Sequence, residues 1–247
     1  MSVRQWKPLI ASFACLLLAS CGLDISFNKK APPPPTEYSL GTPYADVRTL
    51  AIAPAVNLSG VRDFDPLTIS DRLFEEMHQV AGLQVLPLNK TLIAMTKLGI
   101  RSIDTPEAAQ AVAREMAADG LIIPAVTAYD PYNPPTLGMS LQLYTTRNMV
   151  ARPSAEARRI DGTIIANGED PAAADARQPV SAVSAVFDAH NQTVLRELRD
   201  YAAGRTEYDS ALREQKFLLD MEQYSRFVCH AMARRLLEVE RTRVTGR

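Results

Sequence analysis

The stretch RTLAIAPAVNLSG, residues 48–60, decides the fold. Its first eight residues, 48–55, alternate with the period of a β-strand and carry small and branched apolar side chains. Residues 57–60 contain the asparagine, serine and glycine of a turn. Asp65 and Pro66 follow, an N-cap residue and a proline at the first helical position. The stretch therefore predicts a strand that leads, through one turn, into a helix.

The other elements are predicted from the period of their apolar residues, which is two residues in a strand and 3.6 residues in a helix. Further strands are predicted over residues 83–88, 121–128, 139–144, 180–188 and 193–202. Helices are predicted from Pro66 to a stop at Gly82, from a cap at Asn89 to about Leu98, and after the Thr105–Pro106 pair. Because residues 189–192 are few and contain Asn191, which tolerates positive φ, they predict a hairpin turn between the last two strands.

The chain ends in a predicted long helix over residues 209–241. Apolar side chains recur there at spacings of three or four, which is the pattern of a core-facing helix. They are Phe217, Met221, Tyr224, Val228, Met232 and Leu236. Charges of both signs are spread over the opposite face, so we expect packing against the sheet. A helix that lies on a membrane surface is the alternative.

The elements together predict an α/β (α+β) protein with a single mixed β-sheet covered by helices and a long C-terminal helix. The α/β domain is assigned to residues 47–241 and a tail to residues 242–247. Residues 147–179 break the periodic pattern with arginines, glycines, prolines and an alanine-rich run. We interpret them as a flexible surface insertion, because a long stretch without periodicity is typical of a surface excursion.

The start of the chain has the pattern of an export signal. Arg4 and Lys7 precede an apolar run at residues 9–18, which is shorter than the roughly 20 residues of a membrane-spanning helix. The step Leu18-Ala19-Ser20-Cys21 resembles the lipobox of bacterial lipoproteins. That resemblance implies a signal peptide at residues 1–20 and acylation of Cys21 with fatty acids such as palmitate. A secreted protein with an incidental cysteine is the alternative.

Gly22, and not an aspartate, follows the cysteine. In lipoproteins of enteric bacteria this feature implies sorting to the outer membrane, so we expect an anchor there, with the domain on the periplasmic side. Residues 21–46 include four consecutive prolines at positions 32–35. They predict a tether, either a semi-rigid polyproline II spacer or a disordered leader.

Charge and cysteine content exclude some classes of function. The chain has 27 basic and 28 acidic residues without a clustered basic face, so no nucleic-acid partner is expected. Of the three cysteines, Cys15 lies in the signal and Cys21 carries the lipid. Cys229 is then left without a partner for an intramolecular disulfide.

Motifs of catalysis and metal binding are missing from the sequence. There is no His-Glu-x-x-His, paired-cysteine, calcium-loop, glycine-rich phosphate-binding or Gly-x-Ser-x-Gly motif. We therefore expect no cofactor, no metal and no enzyme activity. Cys229 and His230 are adjacent in a predicted helix, where neighbouring side chains point apart, so we interpret Cys229 as a buried structural thiol.

One loop has the composition of a contact surface. Residues 129–135, YDPYNPP, place Tyr129, Asp130 and Tyr132 among prolines, and Tyr144 lies in the partner strand. Tyrosine is enriched where proteins meet, and rigid prolines lower the ordering cost of binding. We predict that these four residues bind a partner. The alternative is that the tyrosines pack on their own sheet.

Four segments carry a resemblance to a known group of proteins. They are RTLAIAPAVNLSG (48–60), AGLQVLPL (81–88), AADGLIIPAVTAYDPY (117–132) and AVFDAHNQTVLRE (185–197). Over about residues 46–240 the chain resembles an α/β module of the bacterial envelope. The curli secretion lipoprotein, the amino-terminal domain of the Tol-system propeller protein and lipoproteins that activate penicillin-binding proteins share this module. The resemblance implies an assembly or docking module and not a catalyst.

We therefore expect a lipid-anchored periplasmic module that docks onto another envelope component, namely a protein. A pore of the curli type is not expected, because the long insertion at residues 147–179 is charged and broken by prolines. One alternative is an envelope hydrolase with a carboxylate site drawn from residues such as Asp119, Asp130 and Asp188. The other is a lipid or glycan carrier with an apolar cavity. The oligomeric state is left open.

Overall fold

The computed structural model describes residues 40–62, 64–146, 178–203, 205, 212 and 214–245. Strands β1 to β6 are Arg48–Ile52, Val56–Asn57, Leu83–Leu86, Gly120–Asp130, Thr136–Thr145 and Ser181–Asp188. Helices α1 to α6 are Pro66–His78, Leu88–Leu98, Pro106–Glu115, Gln192–Ala203, Gln215–Leu219 and Met221–Thr245. The expected signal peptide, Cys21, the proline run and most of the insertion at residues 147–179 lie outside the described residues. Within those residues, no helix has both the length and the apolar character to span a membrane.

The strands form one sheet in the order β3-β1-β4-β5-β6, with β2 paired to β4. β1 runs parallel to both β3 and β4, since helices provide the crossovers between these strands. The β4–β5 and β5–β6 pairs are antiparallel. The single mixed sheet, its covering helices and the long C-terminal helix predicted from the sequence are confirmed.

Helices cover both faces of the sheet. On one face, which we call the helix-rich face, α1, α4, α5 and α6 pack on the larger core. On the other, the α2–α3 face, α2 and α3 cover a smaller core around Leu121 and Tyr144. β1 contributes to both, because Leu50 and Ile52 point to the helix-rich face while Ala51 points to the other.

The predicted helix starts are confirmed at two of three positions. Asp65 accepts a hydrogen bond from the Leu67 amide at 2.9 Å, and Thr105 accepts one from the Ala108 amide at 3.2 Å. Each is followed by proline at the first helical position. The predicted cap at Asn89 is wrong, because α2 already begins at Leu88, directly after Pro87.

The predicted strand at residues 193–202 and the hairpin at residues 189–192 are wrong, since this segment forms α4. Asn191 does not form a hairpin turn; its side-chain oxygen accepts from the Thr193 amide at 2.8 Å, as a helix N-cap does. The buried residues of α4 then follow at helical spacing. They are Val194, Leu198, Tyr201 and Ala202.

The C-terminal helix is interrupted where the sequence predicted continuity. Asp220 has an extended backbone with φ −130° and ψ 114°, and its carboxylate accepts from the Glu222 amide at 2.9 Å. This residue separates α5 from the long α6, which continues to Thr245. Of the predicted stripe, Met221 is half-buried and the other five residues are buried.

Residues 40–46, assigned to the tether from the sequence, contact the α/β domain. The Ala81 amide donates to the Leu40 carbonyl and the Thr42 amide donates to the Ala81 carbonyl, both at 3.0 Å. Gly82 lies beside this contact with φ +85°, and a Cβ built on it would be 2.5 Å from Cγ2 of Thr42. Gly82 also follows the end of α1, which is at His78 and not at the predicted glycine stop.

Candidate docking surface

One end of the sheet gathers three of the four residues predicted to bind a partner. Strand pairing places Thr136 between Asp130 and Asp188, at the point where β4 and β6 end and β5 begins. Residues 131–135 connect β4 to β5 at the same end. We call this end of the sheet the tyrosine end. It comprises Phe64, Tyr129, Asp130, Tyr132 and Asp188.

Tyr129 is a packed member of this surface. Its ring stacks on that of Phe64 with centroids 4.2 Å apart and planes 11° from parallel. The side chain is half-buried against the helix-rich core, and this burial raises the pKa of its phenol. Phe64 was missed by the sequence analysis, although an apolar residue directly before an N-cap such as Asp65 often packs locally.

Tyr132 is the exposed member. Its side chain is 80% exposed, and its backbone amide donates to Oδ1 of Asp130 at 3.0 Å. Asp130 is itself held in β4 by its pairing with Thr136. The aromatic ring therefore faces solvent while the backbone that carries it is tied to the sheet.

Asp188 contributes an ordered carboxylate to the same end. Its Oδ1 accepts from the backbone amide of His190 at 2.8 Å and lies 2.8 Å from Nδ1 of the same residue. Thr136 donates a longer bond of 3.5 Å to this oxygen. The hydrogen bond from the His190 backbone is the main reason why the pKa of Asp188 lies below its usual range. The group is therefore an anionic hydrogen-bond acceptor at neutral pH.

Tyr144, the fourth predicted residue, lies elsewhere. It pairs with Leu121 in β4, eight residues before Tyr129, which separates the two tyrosines by roughly 27 Å along the strand. They also point to opposite faces, since Tyr144 packs in the core under α2 and α3 while Tyr129 packs on the helix-rich side. Tyr144 is buried, which raises the pKa of its phenol, and its hydroxyl donates to Gln142 at 3.1 Å.

The three carboxylates of the hydrolase alternative do not converge. Asp119 precedes β4 and accepts from the Thr49 amide at 2.9 Å. Asp130 closes the same strand after eleven residues, roughly 35 Å away. Asp188 lies two strands from Asp130, and each of the two is bonded to its own following loop. No shared site of these three residues is formed.

A buried ionic cluster, also missed from the sequence, joins three helices. Glu76 of α1 is 5% exposed and accepts from the Tyr201 hydroxyl at 3.0 Å. Its other oxygen lies 3.3 Å from Nη2 of Arg205 and 3.1 Å from Nδ1 of His230 in α6. Burial, followed by the nearby negative charge of Glu76, raises the pKa of the Tyr201 phenol. We call these four residues the Glu76 cluster.

The Glu76 cluster lies at a shallow surface depression that Leu40 and Gln79 also line. The depression is open to solvent and has a volume of about 140 Å³. Among the described residues, no group of three or more histidines, cysteines and carboxylates is placed to hold a metal ion. Through Tyr201 and His230, the carboxylate of Glu76 links α1 to α4 and to α6.

Cys229 is buried, as predicted. Its sulfur lies 3.8 Å from the Ile69 carbonyl, and burial, followed by the charge of Glu76, raises the pKa of the thiol far above its usual range. A thiol with a raised pKa is a poor nucleophile. His230 points to Glu76 instead, so the adjacent Cys–His pair does not form a nucleophilic site.

A second buried carboxylate joins the start of the domain to its end. Glu240 in α6 is 1% exposed and accepts from the Tyr44 hydroxyl at 2.6 Å and from the Ser181 hydroxyl. Arg243 donates to both of its oxygens, at 2.8 and 2.6 Å. Glu240 thus bonds Tyr44, near the end of the segment assigned to the tether, to Ser181, the first residue of β6, and to the last turns of α6.

No family model and no curated protein sequence matches the chain. Among solved structures, the chain is similar to lipoprotein GNA1162 from Neisseria meningitidis, with 15% identity and a TM-score of 0.37 over 64% of this chain and 95% of that one. It is also similar to the LpoB C-terminal domain from Salmonella enterica, with 12% identity and a TM-score of 0.33. This match covers 57% of this chain and 82% of that one. A third similar structure is that of the hypothetical protein CT253 from Chlamydia trachomatis, with 9% identity and a TM-score of 0.35. This match covers 81% of this chain and 96% of that one. Bacterial lipoproteins are among these similar structures.

Proposed function

We propose that this protein is a lipid-anchored docking protein of the bacterial envelope, and that its α/β domain binds another envelope protein through the tyrosine end. Cys21 is the lipid anchor, in the outer membrane, and residues 21–46 hold the domain on the periplasmic side. The observation that carries the binding role is the exposed ring of Tyr132 on a backbone that Asp130 ties to the sheet.

The geometry of the tyrosine end suits protein recognition. A tyrosine ring buries a large area on binding while its hydroxyl keeps a polar partner, and a fixed backbone reduces the entropy lost. The stacked rings of Phe64 and Tyr129 lie at the same end of the sheet. Asp130 and Asp188 add carboxylates, so the partner surface is expected to supply hydrogen-bond donors, with arginine as the best match.

The binding role is tested by photo-crosslinking in cells that express the full-length lipoprotein. A benzophenone amino acid replaces Tyr132, and the matched control replaces Ile93 of α2, which is 55% exposed. We expect one discrete crosslinked band from position 132 and none from position 93. Equal crosslinking at both positions, or none at either, contradicts docking through the tyrosine end.

The anchor is tested separately by changing Cys21→Ala. We expect the variant to lose palmitate labelling and to leave the membrane fraction, because a free amino-terminal segment lacks the acyl chains that give stable attachment. Cys229→Ala serves as the control and should label as the parent protein does. Retained labelling in the Cys21→Ala variant would show that the anchor assignment is wrong, independently of the crosslinking result.

A further inference from the structure

β6 is an edge strand of the sheet. In the part of the chain that the structure describes, its one strand neighbour is β5. The β5–β6 register runs from the pair of Thr136 and Asp188 to the pair of Leu143 and Ser181 without a shift. A strand with one unpaired side presents a row of N–H and C=O groups that can pair with another strand.

The alternation of hydrogen bonds shows which residues point outward. The Ala189 amide donates to the Pro135 carbonyl at 3.0 Å, in register with the ladder. In an antiparallel pair every second residue bonds to the neighbour, so the odd-numbered residues of β6 face β5. Ala182, Ser184 and Val186 therefore direct their backbone groups away from β5. All three have exposed side chains, and that of Val186 is 59% exposed.

In its own sequence and in its pairing with β5, β6 lacks several features that usually prevent strand addition. Edge strands are commonly protected by charged side chains, prolines, bulges or short length. Residues 181–187, SAVSAVF, contain no charged residue and no proline. The strand is eight residues long and is paired to β5 without a bulge. β6 is therefore competent to accept a further strand.

We propose that β6 pairs with β6 of a second copy of this chain, antiparallel and about a two-fold axis at Ser184. In this register Ala182 lies opposite the second copy's Val186, and Val183 lies opposite the second copy's Ala185. A small side chain thus meets a larger one on both faces of the joined sheet, and the two Ser184 hydroxyls meet at the axis. Side chains that lie directly opposite each other on neighbouring strands stabilise a sheet. No like charges oppose each other between residues 181 and 187 of the two copies.

The edge is thus its own complement, which is what a two-fold interface requires, since the same patch serves both copies. The three outward residues bring N–H and C=O groups that match those of the second copy in this register. The helix-rich faces of both copies lie on the same side of the joined sheet. Asp188, the last residue of β6, belongs to the tyrosine end, but the residues paired about the axis, 182–186, do not. The pairing does not depend on the docking role.

The mass of the full-length lipoprotein in detergent, measured by sedimentation, tests the pairing. We expect two copies for the parent protein and one copy for Ser184→Lys, because two ammonium groups would then meet at the axis. Gln142→Lys is the matched control, since Gln142 is exposed on β5 next to Ala182 and on the same face. This variant should keep two copies. Circular dichroism checks that both variants fold, and Ser184→Asp repeats the test with the opposite charge.

Three outcomes would overturn the proposal. The first is a single copy of the parent protein at concentrations of tens of micromolar. The second is a dimer that both lysine variants leave intact. The third is a single copy whose Ser184 and Val186 amides are protected from hydrogen exchange, since another strand, such as one from residues 147–177, would then cover the edge. A disulfide-linked dimer of Ser184→Cys, without one for Gln142→Cys, would support the pairing.

Discussion

Glu76 of α1 and His230 of α6 lie in contact although 154 residues separate them, with Nδ1 of His230 3.1 Å from Oε2 of Glu76. Tyr201 and Arg205 bring α4 and the residues after it to the same carboxylate. A buried carboxylate is costly unless it is paired and hydrogen-bonded, and Glu76 has partners on both of its oxygens. The helices of the helix-rich face are therefore linked by polar bonds as well as by apolar packing.

Removal of Glu76 is expected to destabilise the domain strongly. Glu76→Ala leaves His230 and Arg205 without their carboxylate, and loss of one partner of a buried pair costs about 3 to 5 kcal/mol. Urea unfolding at neutral pH measures the change. Glu75→Ala is the matched control, because Glu75 is 41% exposed and its ion pairs contribute about 1 kcal/mol at most. Equal losses for the two variants would contradict the structural role of the cluster.

Glu240 is expected to make the stability of the domain pH-dependent. Burial raises the pKa of its carboxyl, but hydrogen bonds from Arg243, Ser181 and Tyr44 together hold it below the usual value of 4.5. Because the folded-state pKa lies below the unfolded one, the carboxylate stabilises the fold above about pH 4.5 and less as the pH falls through the folded-state pKa.

The comparison of parent protein with Glu240→Gln isolates this contribution. The difference in unfolding free energy should be large at pH 7 and should shrink as the pH falls below about 4.5 and through the folded-state pKa of Glu240. Glu238→Gln, at an exposed position two residues earlier, should show little difference at either pH. A stability difference for Glu240→Gln that does not change with pH would contradict the assignment.

Gly82 is expected to be intolerant of a side chain. Its φ of +85° is strained for alanine, and the added Cβ would be 2.5 Å from Cγ2 of Thr42. Gly82→Ala should lower the unfolding free energy by about 1 to 2 kcal/mol. Gly41→Ala is the control, since its Cβ would meet open space, and it should leave stability nearly unchanged. Thermal melting of both variants measures the contrast.

Cys229 is expected to be inert to alkylation in the folded protein. Its thiol is buried and its pKa is raised by that burial, so little reactive thiolate is present near neutral pH. Iodoacetamide labelling followed by peptide mass spectrometry should find position 229 unmodified before unfolding and modified after it. Rapid labelling under native conditions would show that the thiol is accessible.

The two aromatic positions of the tyrosine end are expected to differ in their effect on stability. Tyr132→Ala should change the unfolding free energy by no more than about 0.5 kcal/mol, because the side chain is 80% exposed. Phe64→Ala removes the ring on which Tyr129 stacks and should cost more than about 1 kcal/mol. A large loss of stability in Tyr132→Ala would mean that its ring packs on the domain instead of facing a partner.

Local signals placed most elements correctly because their physical causes are local. Asp65 and Thr105 cap their helices with their own side chains, and Pro66 and Pro106 fit the first helical position wherever such a helix forms. The segment at residues 193–202 was misassigned for a related reason. Its apolar residues follow a helical period. Asn191, beside a short polar stretch, fits both a hairpin turn and a helix N-cap, and the local sequence does not distinguish these two roles.

The candidate surface was predicted in part. Tyr129, Asp130 and Tyr132 are neighbours along the chain, so their proximity needed no tertiary information. Tyr144 was grouped with them because it lies in the partner strand. The sheet face to which Tyr144 points, and its distance from Tyr129 along the strands, depend on the register of the β4–β5 pair.

The sequence by itself determined the fold class, the starts of α1 and α3 and the apolar stripe of α6, because periodicity and capping act over a few residues. Tertiary structure alone decided that Glu76 meets His230, that Glu240 meets Tyr44 and Ser181, and that β6 lies at the edge of the sheet formed by the described residues. Those relationships join residues far apart in the chain. They arise when helices and strands pack and the buried polar groups must find partners.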